Sequence, residues 1–417
     1  MDECKAMKIQ VLEPDVNESE LTFTVNSKGD IRFGLGGIKG VGEGAVEAII
    51  NERNHNGKYK DIFDFLERVN LSACNRKTVE NLAYAGAFDC FDGLYREQIL
   101  GTNSKGENVL ETLMRYGNMY QQDKQQQQNS LFGDLGAAVE IQHPELPQVP
   151  RWSAIERLNM EKSLIGIFLS AHPLDDYEFE VQEMGNINAH KLTLFEGWRT
   201  PDARKAADAQ AQNSDDDEDG KEKITPKEFF QTYKNKAVRL GGIITNAEEA
   251  ISKKGNPYGR YTIEDYSGSY NLVLFGKSYE ECSSLLKPNL YVSMTGTVQQ
   301  RGAGMQWFHE KKDEEAEFEL AITKVELLKD VQDKHLEALK VIIPIENVNR
   351  ELIDELSAMC NDHPGQAHLE IEIHDPVHHQ QISMTSKSKR VHISPVFYKW
   401  LNMKRLDNVL DFSITQK

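Results

Sequence analysis

The order of predicted elements between residues 237 and 327 constrains the fold more than any other feature of the chain. Alternating polar and apolar positions predict three strands, in AVRLGGIITNAEEAI, GRYTIED and SYNLVLF, and then a short helix in SYEECSSLL. Two further strands follow, in NLYVSMTGTVQQ and FELAITKVEL. This order, with glycines near the middle of the first strand, is typical of a five-stranded oligonucleotide-binding (OB) barrel. The sequence therefore predicts an OB domain over residues 232–330.

The predicted barrel carries basic and aromatic side chains in positions that suit a single strand of nucleic acid. Arg260 alternates with Tyr261 and should point outward, away from the barrel core. Basic groups follow phosphates and aromatic rings stack on bases. The candidate binding residues are Lys253, Lys254, Tyr258, Arg260, Arg301 and Trp307. Tyr261, Tyr270, Phe275 and Tyr291 are predicted to fill the core. OB barrels also bind proteins and RNA, so the fold alone does not identify the ligand.

A glycine-rich turn near the start of the chain is the second informative feature. Ile38, Lys39, Gly40, Val41 and Gly42 directly precede a stretch with helical apolar spacing. The glycines permit a tight turn with positive φ, and their bare backbone lets N–H groups approach a phosphate at the start of the next helix. Lys39 adds a positive charge there. The pattern predicts a helix-hairpin-helix that holds the DNA backbone without reading its sequence. The alternative is a glycine turn between two packed helices.

Ala85, Gly86, Ala87 and Phe88 resemble a degenerate second hairpin. We expect Ala83 and Phe88 to be part of the core there and not to contact a ligand.

The rest of the chain is predicted as helices, polar connections and a small terminal unit. Residues 31–120 are mainly helical, a glutamine-rich linker follows, and a helix over 150–170 ends before His172-Pro173. Residues 199–226 are polar, acidic and without periodicity, which predicts disorder. Strand and helix patterns alternate over 336–417. The predicted fold class is multidomain α+β, with a helical helix-hairpin-helix domain, a five-stranded OB barrel and a small C-terminal α/β domain.

Composition excludes some locations and leaves nucleic acid open. No run approaches the roughly 20 apolar residues that cross a membrane, and the five scattered cysteines suit a reducing cytoplasm. The net charge is −18, but the acidic blocks at 215–219 and 313–319 hold much of that excess. Because phosphate contacts depend on local charge, DNA binding remains compatible with the sequence.

Two further patterns suggest metal ligands only weakly. Asp-x-Asp spacing occurs within the acidic block at 215–219, without a strand to fix it. His374, His378 and His379 surround Asp375, where two predicted strands meet at a turn. We therefore predict no metal site.

Several separate segments resemble the family of bacterial replicative DNA polymerase III alpha subunits. They occur in the family's order and read ECKAMKIQVLEPDVNESE, IRFGLGGIKGVGEGAVEAIINER, TVENLAYAGAFDCF, EKSLIGIFLSAHPLDDY and KKGNPYGRYTIEDYSGSYNLVLF. The resemblance is to the C-terminal part of these polymerases. It implies the tail of the fingers at 1–30, a duplex- and clamp-binding domain at 31–181, a linker at 182–231, the OB domain at 232–330 and a C-terminal domain at 336–417.

The resemblance also gives a meaning to two large apolar residues after the glutamine run. From composition alone, Leu131 and Phe132 either fold back on their own domain or bind another protein. The family implies an internal sliding-clamp motif of the form Gln-x-x-Leu-Phe, and Gln128, Ser130, Leu131 and Phe132 lie on it. We expect the Gln128 amide to bond the clamp backbone while the two apolar side chains fill a pocket.

The implied activity belongs to a longer protein. In the family, PHP and palm domains precede this region, and palm carboxylates hold Mg²⁺ for template-directed DNA synthesis in chromosomal replication. We expect no catalytic residue and no cofactor in this segment. The implied partners are duplex and single-stranded DNA, the sliding clamp (beta subunit), the clamp-loader tau subunit and other replicase subunits. The alternative is a stand-alone adaptor that binds single-stranded nucleic acid.

Overall fold

The computed structural model describes most of the chain, and the described residues form two compact units, Met1–Pro173 and Leu174–Lys417. The described residues are Cys4, Met7, 9–129, 141–213, 224–303, 308–375 and 377–417, without the side chains of 127–129 and 211–213. Among these residues, no helix has the length and apolar content that a bilayer crossing requires. The α+β class predicted from sequence is confirmed, whereas the finer division at 1–30, 31–181, 182–231, 232–330 and 336–417 stays a prediction.

The first unit is mainly helical. A small sheet comes first, in the order β1-β3-β2, with β1 at Val11–Leu12, β2 at Thr24–Val25 and β3 at Ile31–Arg32. The helices are α1 at Glu43–Asn56, α2 at Ile62–Arg68, α3 at Arg76–Tyr84, α4 at Arg96–Leu100, α5 at Val109–Asn129 and α6 at Ala154–Ile165. Their apolar faces share one core, to which α1 contributes Ala45, Val46 and Ile49.

The glutamine run differs from the predicted linker, because helix α5 continues through it to Asn129. Glutamine is a good helix former, and this propensity prevails where the helix has a surface to pack on. The Gln121 side-chain amide donates to the carbonyl oxygens of Leu66 and Val69, at 2.8 Å each. The described part of the run is thus a helix bonded to the end of α2.

Helix α6 ends earlier than the predicted Ser170. Its C-cap is Gly166, which has a left-handed φ of +91°, a conformation that favours glycine. The buried Glu161 carboxylate then accepts the backbone N–H groups of Leu169 and Ser170, at 2.9 Å each. The chain after the helix is therefore held by hydrogen bonds from its own backbone, and the first of these, from Leu169, lies four residues before Pro173.

The second unit contains the predicted OB barrel. Its five-stranded sheet has the order β6-β5-β4-β7-β8, with all neighbours antiparallel. The strands are β4 at Ala237–Ile251, β5 at Pro257–Asp265, β6 at Gly268–Phe275, β7 at Tyr291–Gln300 and β8 at Phe318–Leu327. A helix at Gly276–Cys282 lies between β6 and β7 in sequence. The predicted order of three strands, a helix and two strands is confirmed.

The region predicted to be disordered, 199–226, contains a helix in its first half. This helix is α9, at Pro201–Asn213. Two short helices precede it, α7 at Glu178–Gln182 and α8 at Ala189–Gly197, and α10 follows at Pro226–Tyr233. The helix between β6 and β7 is numbered α11. Within α9, the guanidinium of Arg204 donates to four carbonyl oxygens, those of Trp198, Arg199, Asp313 and Ala316, at 2.7–3.2 Å. Asp313 and Ala316 are more than 100 residues away in sequence, so composition could not reveal these two contacts. The acidic block at 215–219 lies outside the described residues.

The C-terminal sheet has the order β11-β10-β9-β12, in which β9 and β10 are parallel. The strands are β9 at Leu336–Pro344, β10 at Pro364–Asp375, β11 at Gln380–Val391 and β12 at Asp411–Gln416. The helices are α12 at Val331–His335, α13 at Arg350–Asp362 and α14 at Pro395–Leu406. Helix α13 buries Leu352, Leu356 and Cys360.

Helix α7 links the OB barrel to the C-terminal sheet within the second unit. Gln332 Nε2 donates to the Glu180 carboxylate at 2.6 Å and to the Ile393 carbonyl at 2.9 Å. Next to it, Arg405 Nη1 donates to Glu183 Oε1 at 3.1 Å. Glu180 is 6% exposed, and burial raises its pKa to about 7 although the bond from Gln332 opposes that shift. One buried carboxyl group thus lies at the contact between barrel and sheet.

Candidate nucleic-acid interface

The glycine turn lies at the surface of the first unit, directly before α1. Ile38 and Val41 are buried in the core, whereas Lys39, Gly40 and Gly42 are exposed. Apolar anchors alternating with exposed glycines place the backbone of the turn in solvent. Gly42 is the N-cap of the 14-residue helix α1.

The shape of the turn is held by a residue from a later helix. Gly40 has a φ of +77°, and a Cβ added there would lie 2.5 Å from Asn81 Nδ2. That same Nδ2 donates to the Lys39 carbonyl at 3.0 Å. The role of Asn81 was not predicted from the sequence. The one sequence signal for it is that a polar residue occupies the apolar face of helix α3.

The backbone N–H groups of the turn are divided between internal bonds and open positions. The Lys39 N–H donates to the Leu164 carbonyl at 2.9 Å, and the Val41 N–H donates to that of Ile38 at 3.1 Å. Among the residues that the structure describes, none accepts a hydrogen bond from the N–H groups of Gly40, Gly42, Glu43 or Gly44. Open N–H groups at a helix N-terminus bind anions, because the helix dipole is positive there. The arrangement can bind a phosphate, although the exposed Glu43 carboxylate limits where it can lie.

The second glycine turn is part of the core, as expected. Ala85, Ala87 and Phe88 are buried. The guanidinium of Arg96 covers Gly86, where an added Cβ would lie 2.1 Å from Nη2. This turn offers no backbone to a ligand.

The OB barrel presents a second candidate surface on its outer face. Tyr261 and Ile263 point into the core, while Arg260 is exposed and Thr262 half-exposed. The expected alternation along β5 is confirmed.

Two aromatic rings face each other across strands β5 and β6. Tyr258 is paired with Phe275 in register, and their ring centroids are 5.2 Å apart with planes at 22°. The Arg260 guanidinium lies 5.7 Å from the Tyr258 centroid. This group, Tyr258, Arg260 and Phe275, is called the ring platform below. Phe275 is 60% exposed, so its predicted place in the core is wrong.

The other aromatic residues assigned to the barrel core behave differently from Phe275. Tyr261 and Tyr270 are buried as predicted. Burial raises the pKa of Tyr261 to about 12, so it stays uncharged. Tyr291 is only half-buried and packs on Tyr177, with centroids 5.0 Å apart.

The ring platform borders an open groove of about 670 Å³ that reaches from β6 to β8. Lys253, Arg199 and Arg301 also line it. Burial alone would lower the pKa of Arg199, but its hydrogen bond and ion pair with Glu196 raise it. Arg301 is paired with Glu317 at 3.0 Å. The groove therefore combines aromatic faces with cations, as a single strand requires.

The remaining predicted residues of this surface have different positions. Lys253 and Lys254 are exposed in the turn between β4 and β5. Trp307 lies outside the described residues.

The predicted clamp motif also falls mostly outside the described residues. Ser130, Leu131 and Phe132 are not described, and Gln128 is described only as backbone near the end of α5. The chain on both sides contacts α2. Gln121 bonds its end, and further along the chain the His143 ring stacks on Phe63, with centroids 4.3 Å apart.

Metal ligation has no support in the described part of the chain. No group of three or more His, Cys, Asp or Glu side chains there could hold an ion. His378 instead bonds Asp375, with Nδ1 2.7 Å from Oδ2.

Three family models match successive parts of the chain. A helix-hairpin-helix motif matches residues 8–99, an OB-fold nucleic acid binding domain matches 238–328, and the C-terminal domain of the DNA polymerase III alpha subunit matches 339–414.

Similar proteins are DNA polymerase III alpha subunits. That of Pasteurella multocida is 27% identical over 87% of this chain and 27% of its own length. That of Haemophilus influenzae is 30% identical over 71% of this chain and 22% of its own length. The chain spans about a quarter of the length of these relatives.

A likeness among solved structures is confined to a small part of the chain. The mitochondrial single-stranded DNA binding protein Rim1 of S. cerevisiae matches 22% of this chain and 92% of its own, at 15% identity and a TM-score of 0.16. A likeness this distant does not bear on function.

Proposed function

Because the chain belongs to the family of bacterial DNA polymerase III alpha subunits and corresponds to their C-terminal portion, we propose that it grips DNA and a sliding clamp for the replicase. Template-directed DNA synthesis is the proposed activity of the whole protein. Nucleotidyl transfer is assigned to the palm of that protein and not to residues of this segment.

The observation that carries this proposal is the open backbone of the glycine turn. Four N–H groups that have no acceptor among the described residues lie at or next to the N-terminus of a 14-residue helix, and Lys39 is adjacent to them in sequence. A phosphate of duplex DNA fits both the donors and the dipole. We propose that Ile38 and Val41 anchor the turn while Lys39, Gly40 and Gly42 contact the backbone of the new duplex.

The OB surface is proposed to receive single-stranded template. The ring platform offers stacking faces that tolerate any base, and Lys253 and Arg301 supply charge along the groove. Lys254, exposed in the turn next to Lys253, adds a further positive charge. Trp307 is proposed to add a further ring.

Protein partners complete the proposal. Gln128, Ser130, Leu131 and Phe132 are proposed to dock in a groove of the sliding clamp. Residues 336–417 are proposed to contact the clamp-loader tau subunit, and other replicase subunits assemble on the same chain.

Replacing Gly40 with alanine should weaken duplex binding by about five- to tenfold. A left-handed φ costs a side chain about 1–3 kcal/mol, and the added Cβ displaces Asn81 from the Lys39 carbonyl. The turn then shifts and its N–H groups no longer converge. Fluorescence anisotropy of a labelled duplex at fixed salt measures the change.

Gly57→Ala is the matched control. Gly57 has a similar φ of +85° but lies at the opposite end of α1, and no atom of the described residues would lie within 4 Å of an added Cβ. It should lose similar stability and keep its duplex affinity. Equal losses of duplex affinity in both variants would contradict the assignment of the turn.

Replacing both Tyr258 and Phe275 with alanine should weaken single-stranded DNA binding by at least about tenfold. Stacking of a base on an aromatic ring contributes about 1–3 kcal/mol, and both rings are accessible. Duplex affinity should be unchanged. The control is Ile251→Ala, which removes an exposed apolar side chain from the same β hairpin. If the double variant binds a single strand as tightly as this control, the ring platform is not a stacking site.

A further inference from the structure

A groove of about 430 Å³ lies beside the glycine turn in the first unit. Its lining includes the chain segment Leu21, Thr22 and Phe23, and also Val41 and Glu43. Val41 belongs to the turn and Glu43 is the first residue of α1. The groove is therefore continuous with the open N–H groups at the start of that helix.

Three glycines, Gly34, Gly36 and Gly37, line this groove. A Cβ at Gly34 would lie 2.5 Å from the Thr22 carbonyl carbon, and one at Gly36 would lie 2.7 Å from the Leu21 carbonyl oxygen. The segment 21–23 thus lies directly on these two glycines. The Leu21 side chain also lies close to Gly36, and a Cβ at Gly37 would lie 2.7 Å from the ring of the buried Phe33. Backbone atoms and apolar side-chain atoms therefore lie against the glycines, and none of them carries a charge.

Phe23 forms an exposed wall that is nevertheless held in place. It is 56% exposed, and its ring packs edge-on against the buried Phe33, with centroids 4.7 Å apart and planes at 72°. A ring fixed by a buried neighbour loses little rotamer freedom when a ligand covers its other side. Val25, two residues along, is also exposed but is not among the residues that line the groove.

The charge of the groove selects which part of a nucleic acid enters it. Glu43 is exposed and carries a carboxylate, which repels phosphate and accepts hydrogen bonds. A sugar and the edge of a base carry no charge, and apolar side chains contact them in the minor groove of DNA. An aromatic ring, an uncharged glycine-lined surface and one acceptor together fit a nucleoside better than a phosphate.

We propose that this groove holds a nucleoside of the DNA strand whose phosphate lies on the glycine turn, with Phe23 packed against its sugar and base edge. The inference rests on the proposed duplex grip and extends it from the phosphate to the adjoining residue of the same strand. Phe23 adds apolar contact area next to a contact that is otherwise purely ionic and hydrogen-bonded.

The test compares Phe23→Ala with Val25→Ala in the full 417-residue chain, by duplex titration over a salt series. Phe23→Ala should lose roughly five- to tenfold in affinity at every salt concentration, since an apolar contact with a sugar and a base edge releases no counterions. Val25→Ala should bind as wild type does. Lys39→Gln serves as the reference for a lost phosphate contact, with a salt slope reduced by about 0.9.

Phe23→Leu guards against a loss of folding, because leucine keeps apolar packing on Phe33 without the flat ring. It should melt as wild type does and still lose affinity; full retention of affinity overturns the ring contact.

If Phe23→Ala binds normally while Gly40→Ala is weakened, the inference is wrong and the duplex grip stands. A changed salt slope in Phe23→Ala would show that the groove takes a phosphate. If neither Phe23→Ala nor Gly40→Ala is weakened, the duplex grip itself fails.

Discussion

Replacing Leu131 and Phe132 together with alanine should reduce binding to a purified sliding clamp by more than about a hundredfold. Burying these two side chains contributes about 3–6 kcal/mol before ordering costs, at about 25 cal/mol per Å² of apolar surface. Such anchors dominate the free energy of a peptide docked in a groove. Calorimetry or surface plasmon resonance with a beta-type clamp measures the loss.

The control for that experiment is the double variant Gln125→Ala and Gln126→Ala. Both residues are exposed in helix α5, just before the motif, and alanine keeps the helix. This variant should bind the clamp normally. Duplex and single-strand affinities should be unchanged in both double variants, because the turn and the ring platform are untouched. Normal clamp binding by the Leu131 and Phe132 variant would refute the motif assignment.

Loss of the Glu180 proton should make the second unit less stable as pH rises from 5 to 8. The carboxyl group is buried, and its pKa is raised from 4.5 to about 7. A group whose folded pKa exceeds its unfolded pKa binds more protons when folded, so its contribution falls as pH rises through that window. The fall amounts to about 3 kcal/mol at most, at 1.36 kcal/mol per pKa unit.

Glu180→Gln isolates this effect, since glutamine keeps an acceptor for Gln332 and does not titrate. The unfolding free energy of wild type relative to this variant should drop between pH 5 and pH 8, as followed by denaturant or thermal unfolding. Glu337→Gln, an exposed glutamate of β9, should track wild type. Burial would raise the pKa of Glu326, but hydrogen bonds from Lys324 and His335 hold it at about 2, below the window. A pH-independent difference between wild type and Glu180→Gln would contradict the account.

The sequence predicted best what depends on neighbouring residues. Alternation along β5 and the order of the barrel elements are local signals, and both are confirmed. The glycine spacing at 38–42 is also local, and it correctly predicted an exposed turn before a helix. The exposed position of Phe275 could also have been predicted from local alternation. Tyr270, Leu272 and Leu274 alternate into the core, so position 275 has to point out.

What the sequence could not predict depends on contacts between distant residues. Helix α9 is held by Arg204, whose acceptors include Asp313 and Ala316, more than 100 residues later. The helical glutamine run bonds the end of α2, more than 50 residues earlier. Asn81 supports a turn that lies about 40 residues before it. Composition described these segments as linkers because it contains no information about such partners.

The bond from Asn81 to the turn has a consequence for protein engineering. A peptide excised as residues 31–57 would keep every glycine and lysine of the motif. It would lose the Asn81 amide that bonds the turn from a later helix. The turn of this peptide would sample many conformations, and in most of them the backbone N–H groups would not point toward a common phosphate. Grafting this motif onto another scaffold therefore also requires a second helix, with an asparagine positioned to donate to the carbonyl that corresponds to that of Lys39.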